Sequence, residues 1–201
     1  MQKIFHSHFV GFLVLAFAVG CAQQETQEQD TQSDPQIQQE VEQTMNDASS
    51  PEHSEAVAVI HPTEGNEVSG TVTFTAAGDS VQVQAEISGL SEGNHGFHIH
   101  QYGDCTAPDG SSAGGHFNPD NNDHAGPTDS PRHMGDMGNI EADAEGNATL
   151  NYGDSTISID QILGRAVVVH GGEDDLESQP SGDAGPRIGC GVIGVANTEN
   201  M

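Results

Sequence analysis

Two stretches of this chain alternate strictly between apolar and polar residues: Thr71-Val72-Thr73-Phe74-Thr75 and Val81-Gln82-Val83-Gln84-Ala85-Glu86-Ile87. A period of two puts every second side chain on one face, so each reads as a strand with one buried and one wet face. Shorter strand candidates are Ala56–Ile60, His95–His100, Ala148–Tyr152, Ile157–Ile159, Ala166–His170 and Val192–Ala196. Turn signals such as Glu64-Gly65-Asn66 and Glu145-Gly146-Asn147 separate many of them. No segment of about ten residues beyond Glu55 carries a helical apolar period. With 25 Gly, no Trp and 33% hydrophobic residues, the composition also disfavours a helical bundle. The chain is therefore expected to be all-β, an antiparallel sandwich or barrel. Two stretches, 102–139 and 171–189, lie outside the expected strands, and loops of that length in a compact domain tend to be functional.

The N-terminus reads as a targeting segment. Lys3 precedes the apolar stretch Phe9–Val19, which has the length of a signal-peptide core and is too short to span a bilayer. Ala18-Val19-Gly20-Cys21 resembles a bacterial lipobox, which implies cleavage before Cys21 and lipid on its thiol. Ala22 is not an aspartate, which under the bacterial sorting pattern implies the outer membrane. The expected organisation is a lipoprotein signal peptide over 1–20, lipidated Cys21 with a disordered acidic, Gln-rich tether over 21–54, and one domain over 55–201.

Charge narrows the partners. Thirty-one acidic residues against four basic ones give a formal net charge of −27. Nucleic acid is excluded, because neutralising phosphates needs Lys and Arg.

Six of the 11 histidines fall into one ordered pattern with an aspartate: His98, His100, His116, His124, His133, Asp136 and His170. The i, i+2 pair His98/His100 points two imidazoles the same way from a strand. His170 ends the apolar run Ala166-Val167-Val168-Val169 and can approach the same point from a neighbouring strand. The others lie in the first long stretch and can fold around a second ion. Three imidazoles and a carboxylate in a closed tetrahedral set suit zinc, whereas an all-imidazole set with an open position suits Cu(II).

The motifs Gly96-Phe97-His98-Ile99-His100, Gly115-His116-Phe117-Asn118-Pro119, Arg132-His133-Met134-Gly135-Asp136, Val168-Val169-His170 and Gly185-Pro186-Arg187-Ile188-Gly189-Cys190 closely resemble the copper/zinc superoxide dismutases. The resemblance runs in order from about Ala56 to Asn197 and implies an eight-stranded antiparallel Greek-key β-barrel with two long functional loops. It implies one copper on His98, His100, His116 and His170, and one zinc on His116, His124, His133 and Asp136. His116 is then a bridging imidazolate and Arg187 docks superoxide beside copper. Asp174 links a copper histidine to a zinc histidine, and Cys105 and Cys190 form the intrasubunit disulfide, as suits an exported domain. His95 matches a residue packed behind the copper site and is no ligand. The implied activity converts superoxide to dioxygen and hydrogen peroxide by Cu(II)/Cu(I) cycling.

Two departures stand out. Cys105 directly follows Gly103-Asp104, which resembles bacterial members, while Ser130–Asp136 reads like the eukaryotic type. Sequence therefore leaves open whether the chain forms a homodimer and through which face. The stretch 171–185 also lacks the lysines that relatives often place before the catalytic arginine. Slower catalysis with weak or inverted salt dependence is expected from that lack. The alternative readings are a non-catalytic copper-binding envelope protein of the same fold and a structural zinc domain; neither requires Arg187.

Overall fold

The computed structural model describes residues 53–198. The expected signal peptide, the lipidated Cys21 and all of the tether except His53 and Ser54 lie outside the described residues. Eight strands are present: β1 Glu55–Pro62, β2 Ser69–Ala77, β3 Ser80–Ser88, β4 Gly93–His100, β5 Asp136–Ala142, β6 Ala148–Asp154, β7 Ala166–His170 and β8 Arg187–Val195. All neighbours pair antiparallel and close a barrel in the order β1-β2-β3-β6-β5-β4-β7-β8. The two departures from sequential order, β3 to β4 and β6 to β7, are the Greek-key crossings. Among the described residues no helix is long and apolar enough to cross a membrane.

The alternating strands behave as their period requires. Val72 and Phe74 of β2 and Val81, Val83, Ala85 and Ile87 of β3 all point into the core. The register sets Phe74 opposite Val83 and Val72 opposite Ala85, so the inward side chains meet across the strands. Each large side chain buried this way contributes about 1.5–3 kcal/mol relative to exposure.

Strand β4 is buried on both faces. Phe97 and Ile99 fill the barrel, while His98 and His100 point outward and are nonetheless 0% and 1% exposed. Long segments cover them, so the histidine cluster is built on the outer face of the strand, while Phe117 of the first segment joins the hydrophobic core. A disulfide between Cys105 and Cys190, 85 positions apart, fastens the first long segment to β8.

Three elements differ from the sequence expectation. Ile157–Ile159 is not a strand; Ser158 starts a one-turn helix α1, Ile159–Ile162, with its N–H and hydroxyl both directed at Gln161 Oε1 at 3.0 Å. The signal was the Ser-x-x-Gln spacing of a capping box, hidden by the Ile-Ser-Ile alternation. Strand β5 begins at Asp136, inside the stretch expected to be loop. Its alternation is broken because Gly138 adopts φ +74° and the pairing with β4 shifts register, so Met137 points inward and then Ile140 and Ala142 do. Strand β8 starts at Arg187 rather than Val192, its period masked by Gly189, Gly191 and Gly194.

Candidate metal centre

Four strand ends and one long loop converge outside the barrel. His98 pairs with Asp136 across β4 and β5 and with Val168 across β4 and β7. His170, the last residue of β7, lies opposite Arg187, the first of β8. A bridge between His100 and His116 brings the loop onto the end of β4, secured by Phe117 N–H to Ile99 O at 2.8 Å and Gln101 N–H to Gly115 O at 2.8 Å. The donor atoms of His98, His100, His116 and His170 all lie within 4.8 Å of one another, as do those of His116, His124, His133 and Asp136. His116 belongs to both groups, and every member is buried.

Outer hydrogen bonds decide which nitrogen of each ring is free. A carbonyl or carboxylate oxygen can only accept, so the ring nitrogen facing it carries the proton and the other keeps its lone pair. His98 Nε2 donates to Asp174 Oδ2 at 2.7 Å, which frees Nδ1. His100 Nδ1 donates to Gly114 O at 2.9 Å and His170 Nδ1 to Gly185 O at 3.1 Å, which frees both Nε2 atoms; these face each other at 3.4 Å. His124 Nε2 donates to Asp174 Oδ1 at 2.9 Å and His133 Nε2 to Asn122 O at 3.1 Å, which turns both Nδ1 atoms inward. His116 is different: it has no such outer partner, and its nitrogens point one into each group. Its Nε2 and the Nδ1 of His98 are buried without any hydrogen-bond partner.

Unpaired buried nitrogens are costly unless something else binds them. In the second group, Nδ1 of His116, His124 and His133 lies 2.8, 3.0 and 3.1 Å from Asp136 Oδ1, and His133 Nδ1 lies 3.5 Å from His116 Nδ1. Donors held about 2.0–2.2 Å from one tetrahedral ion stand roughly 3.3 Å apart, so this set fits zinc. The first group offers four imidazole lone pairs and no carboxylate, a donor set that fits copper.

The electrostatics separate the two groups. Burial lowers His98 to about 3, against the pull of Asp174, and lowers His170 to about 4. Burial, together with neighbouring imidazoles, also lowers His100 and His116. At neutral pH these rings are uncharged and their lone pairs are available. His124 goes the other way: burial opposes its charge, but Asp136 and Asp174 outweigh it and raise it to about 9. Burial likewise opposes charge on Asp136 and Asp174, yet hydrogen bonds from the histidines hold both well below the usual carboxylate range.

Arg187 donates from Nη1 to Gly110 O and from Nη2 to Gly114 O, each at 2.6 Å. Gly114 O also accepts from His100, so one carbonyl aligns the arginine and a histidine of the first candidate group. Arg187, His100, His116 and His170 share a cavity of about 620 Å³ with the amides of Asn118 and Gln179. His95 stands behind, its Nδ1 bonded to the His170 carbonyl at 2.8 Å and its Nε2 2.9 Å from Ser91 O.

Sequence reasoning missed three supporting residues. Asn139 clasps the Asp174 backbone with two bonds of 2.8 Å, and Gln179 brackets the His124 backbone at 2.8 and 2.9 Å. Neither carries a local pattern that announces the role. Arg132 carried a hint, a cation beside a candidate ligand, but no sign that its side chain is buried.

Comparison with known proteins agrees with this geometry. The family model described as copper/zinc superoxide dismutase (SODC) matches residues 68–193. The chain is 44% identical over 154 residues to "Extracellular superoxide dismutase [Cu-Zn]" of Brugia pahangi, covering 70% of this chain and 76% of that protein. It is 46% identical over 144 residues to the protein of the same name in Drosophila melanogaster, covering 66% and 78%. Among solved structures, that of the clock protein EA4 aligns with a TM-score of 0.67 at 39% identity, over 74% of this chain and 98% of that one. Closed barrel, shared histidine and family match together establish that the chain belongs to the copper/zinc superoxide dismutase family.

Proposed function

We propose that this chain is an exported superoxide dismutase holding one copper and one zinc. Copper would be held by Nδ1 of His98 and Nε2 of His100, His116 and His170, and zinc by Nδ1 of His116, His124 and His133 with Oδ1 of Asp136. The observation that carries the assignment is the pair of orphaned buried nitrogens, His98 Nδ1 and His116 Nε2. Copper in that site supplies one-electron cycling between Cu(II) and Cu(I), which oxidises one superoxide to dioxygen and reduces a second, with two protons, to hydrogen peroxide. Arg187 binds the incoming anion: its charge is permanent, and two carbonyls fix the fork before the substrate arrives. His116 Nε2, which has no protein partner to hold its proton, is the atom that takes up and returns one during turnover. Asp174 keeps the rings of His98 and His124 in their binding tautomers.

An arginine aimed into the cavity has no use in a copper buffer or a structural zinc domain, which favours the enzyme. Superoxide decay should be accelerated by the copper- and zinc-loaded chain and not by His170→Ala loaded in parallel. Activity no higher than free-copper controls would overturn the reading.

The named relatives are extracellular enzymes, which supports export. The apolar segment Phe9–Val19 running into Ala18-Val19-Gly20-Cys21 supports a bacterial lipoprotein form, its Cys21 lipid anchoring the domain to the cell envelope, in the periplasm or at the outer membrane. Replacing Cys21 with Ser should release the protein from membranes. A homodimer is supported by Val59 of β1 and Val192 of β8, 50% and 44% exposed. Both strands present them beside a groove whose described lining has Glu64 as its one carboxylate, and a protein of this acidity can approach itself best on such a face. Sedimentation equilibrium of Val192→Glu against the wild type checks it.

A further inference from the structure

Arg132 is 6% exposed and sits one residue before His133, a member of the group assigned above to zinc. Its Nη1 donates to the carbonyls of His133 at 2.8 Å and Asp136 at 2.9 Å, with a longer contact to Met134 O at 3.5 Å. Its Nη2 donates to Asp154 Oδ2 and Thr156 Oγ1, both at 2.8 Å. Asp154 ends β6 and is itself 2% exposed; its other oxygen accepts the Thr156 N–H at 2.8 Å and hydroxyl at 2.7 Å. The Arg132 carbonyl, in turn, accepts Asn122 Nδ2 at 3.0 Å, and Asn122 O faces His133 Nε2. One guanidinium therefore spans from the barrel wall to the backbone of two ligands placed three residues apart.

Within that turn His133 N–H also donates to Asp136 Oδ2 at 3.0 Å, and Gly135 is paired with Phe117 and Ile99 at 2.9 Å, but these bonds leave the carbonyls of His133 and Asp136 to the guanidinium and one long contact. The Asp136 N–H reaches the His133 carbonyl only at 3.3 Å. A planar fork can hold both carbonyls and a carboxylate at once, whereas an ammonium is a point donor on a flexible stem. We propose that Arg132, anchored on Asp154, is the positioning residue of the zinc half of the centre. It fixes the spacing of His133 Nδ1 and Asp136 Oδ1 and thereby sets zinc affinity without touching the ion. The proposal rests on the zinc assignment made above.

The test uses the full chain stripped of metal, in wild-type and Arg132→Lys forms. Zinc affinity is read by chelator competition, and cobalt(II) in the same site by its ligand-field absorption. Copper affinity of the zinc-free protein is measured alongside. Losing a partner that orients metal ligands weakens binding by about 10–100-fold, so Arg132→Lys should lose zinc affinity in that range. Its cobalt bands should weaken and shift, while copper affinity stays within about twofold of wild type. Unchanged zinc affinity and cobalt spectrum in Arg132→Lys overturn the proposal alone. So does an equal fall in copper affinity, which marks a general structural role. A wild type that takes up no zinc overturns the metal assignment and the proposal with it. If Arg132→Lys does not fold, Thr156→Val removes one guanidinium acceptor and one donor to Asp154 Oδ1 while keeping both charged partners of the Arg132–Asp154 pair. A threefold or larger loss of zinc affinity, on the same scale, then supports the proposal and an unchanged value overturns it.

Discussion

Reducing the Cys105–Cys190 bond should cost this protein both stability and activity, through separate routes. The bridge closes 85 positions of chain. On the chain-entropy relation its removal frees the unfolded state by about 4–5 kcal/mol. For a domain of this size each kcal/mol moves the melting temperature by roughly 2–4 °C, so a fall of about 8–20 °C follows. The second route is local. Cys105 begins the segment whose Gly110 and Gly114 carbonyls grip Arg187, and Gly114 also aligns His100. Cys190 lies three residues beyond Arg187 on the same strand. Opening the bond releases the platform under the arginine, so the proposed anion site loosens even where the barrel remains folded. The assay compares oxidised, reduced and Cys105→Ala/Cys190→Ala proteins, all metal-loaded, by calorimetry and by kcat/KM at a temperature well below every melting point. Both quantities should fall. A melting temperature within about 3 °C of the oxidised protein would refute the entropic estimate. Unchanged kcat/KM in the folded, reduced protein would refute the link to Arg187.

Three further outcomes are expected. Arg132 is tied to Asp154 and Arg165 to the carbonyls of Gln161 and Gln101, which leaves Arg187 as the described cation that faces the cavity. The value of kcat/KM should accordingly vary by no more than about twofold between roughly 0.01 and 0.15 M salt, and a steep fall would contradict this. Metal-stripped protein should be most stable near neutrality. The unfolded chain binds more protons than folded His98 and His170 between pH 6.5 and their values of about 3 and 4, so stability falls on acidification. His124, raised to about 9, contributes stability fully below 6.5 and loses it as pH rises through 9. A melting temperature that climbs steadily across that upper range would be inconsistent with it. Asp174→Asn supplies one acceptor oxygen where two histidines now donate, at 2.7 and 2.9 Å. It should weaken zinc binding by about 10–100-fold, measured by chelator competition, and an unchanged affinity would show that the link is dispensable.

The strands with clean alternation, β2 and β3, were legible because each has one wet face. Strand β5 was not, because a bulge at Gly138 moves its inward face from odd to even positions, which no fixed period detects. The cluster of His98, His100, His116, His124, His133, Asp136 and His170 was legible because ligand types at ordered spacings are improbable without a purpose. The residues that orient them were not: Gln179 binds His124 from 55 positions away and Asn139 binds Asp174 from 35. Contacts between distant backbone and amide groups leave no mark on local sequence. The burial of Arg132 belongs to the same class, since its partner Asp154 lies 22 positions on.

The most direct test is anomalous diffraction at the copper and zinc edges from crystals of the metal-loaded protein. Two peaks are expected on opposite sides of the His116 ring. Copper should lie among His98 Nδ1, His100 Nε2, His116 Nε2 and His170 Nε2, and zinc among His116 Nδ1, His124 Nδ1, His133 Nδ1 and Asp136 Oδ1. Exchanged metals, or a single occupied site with His116 bound on one nitrogen only, would contradict the bridging arrangement.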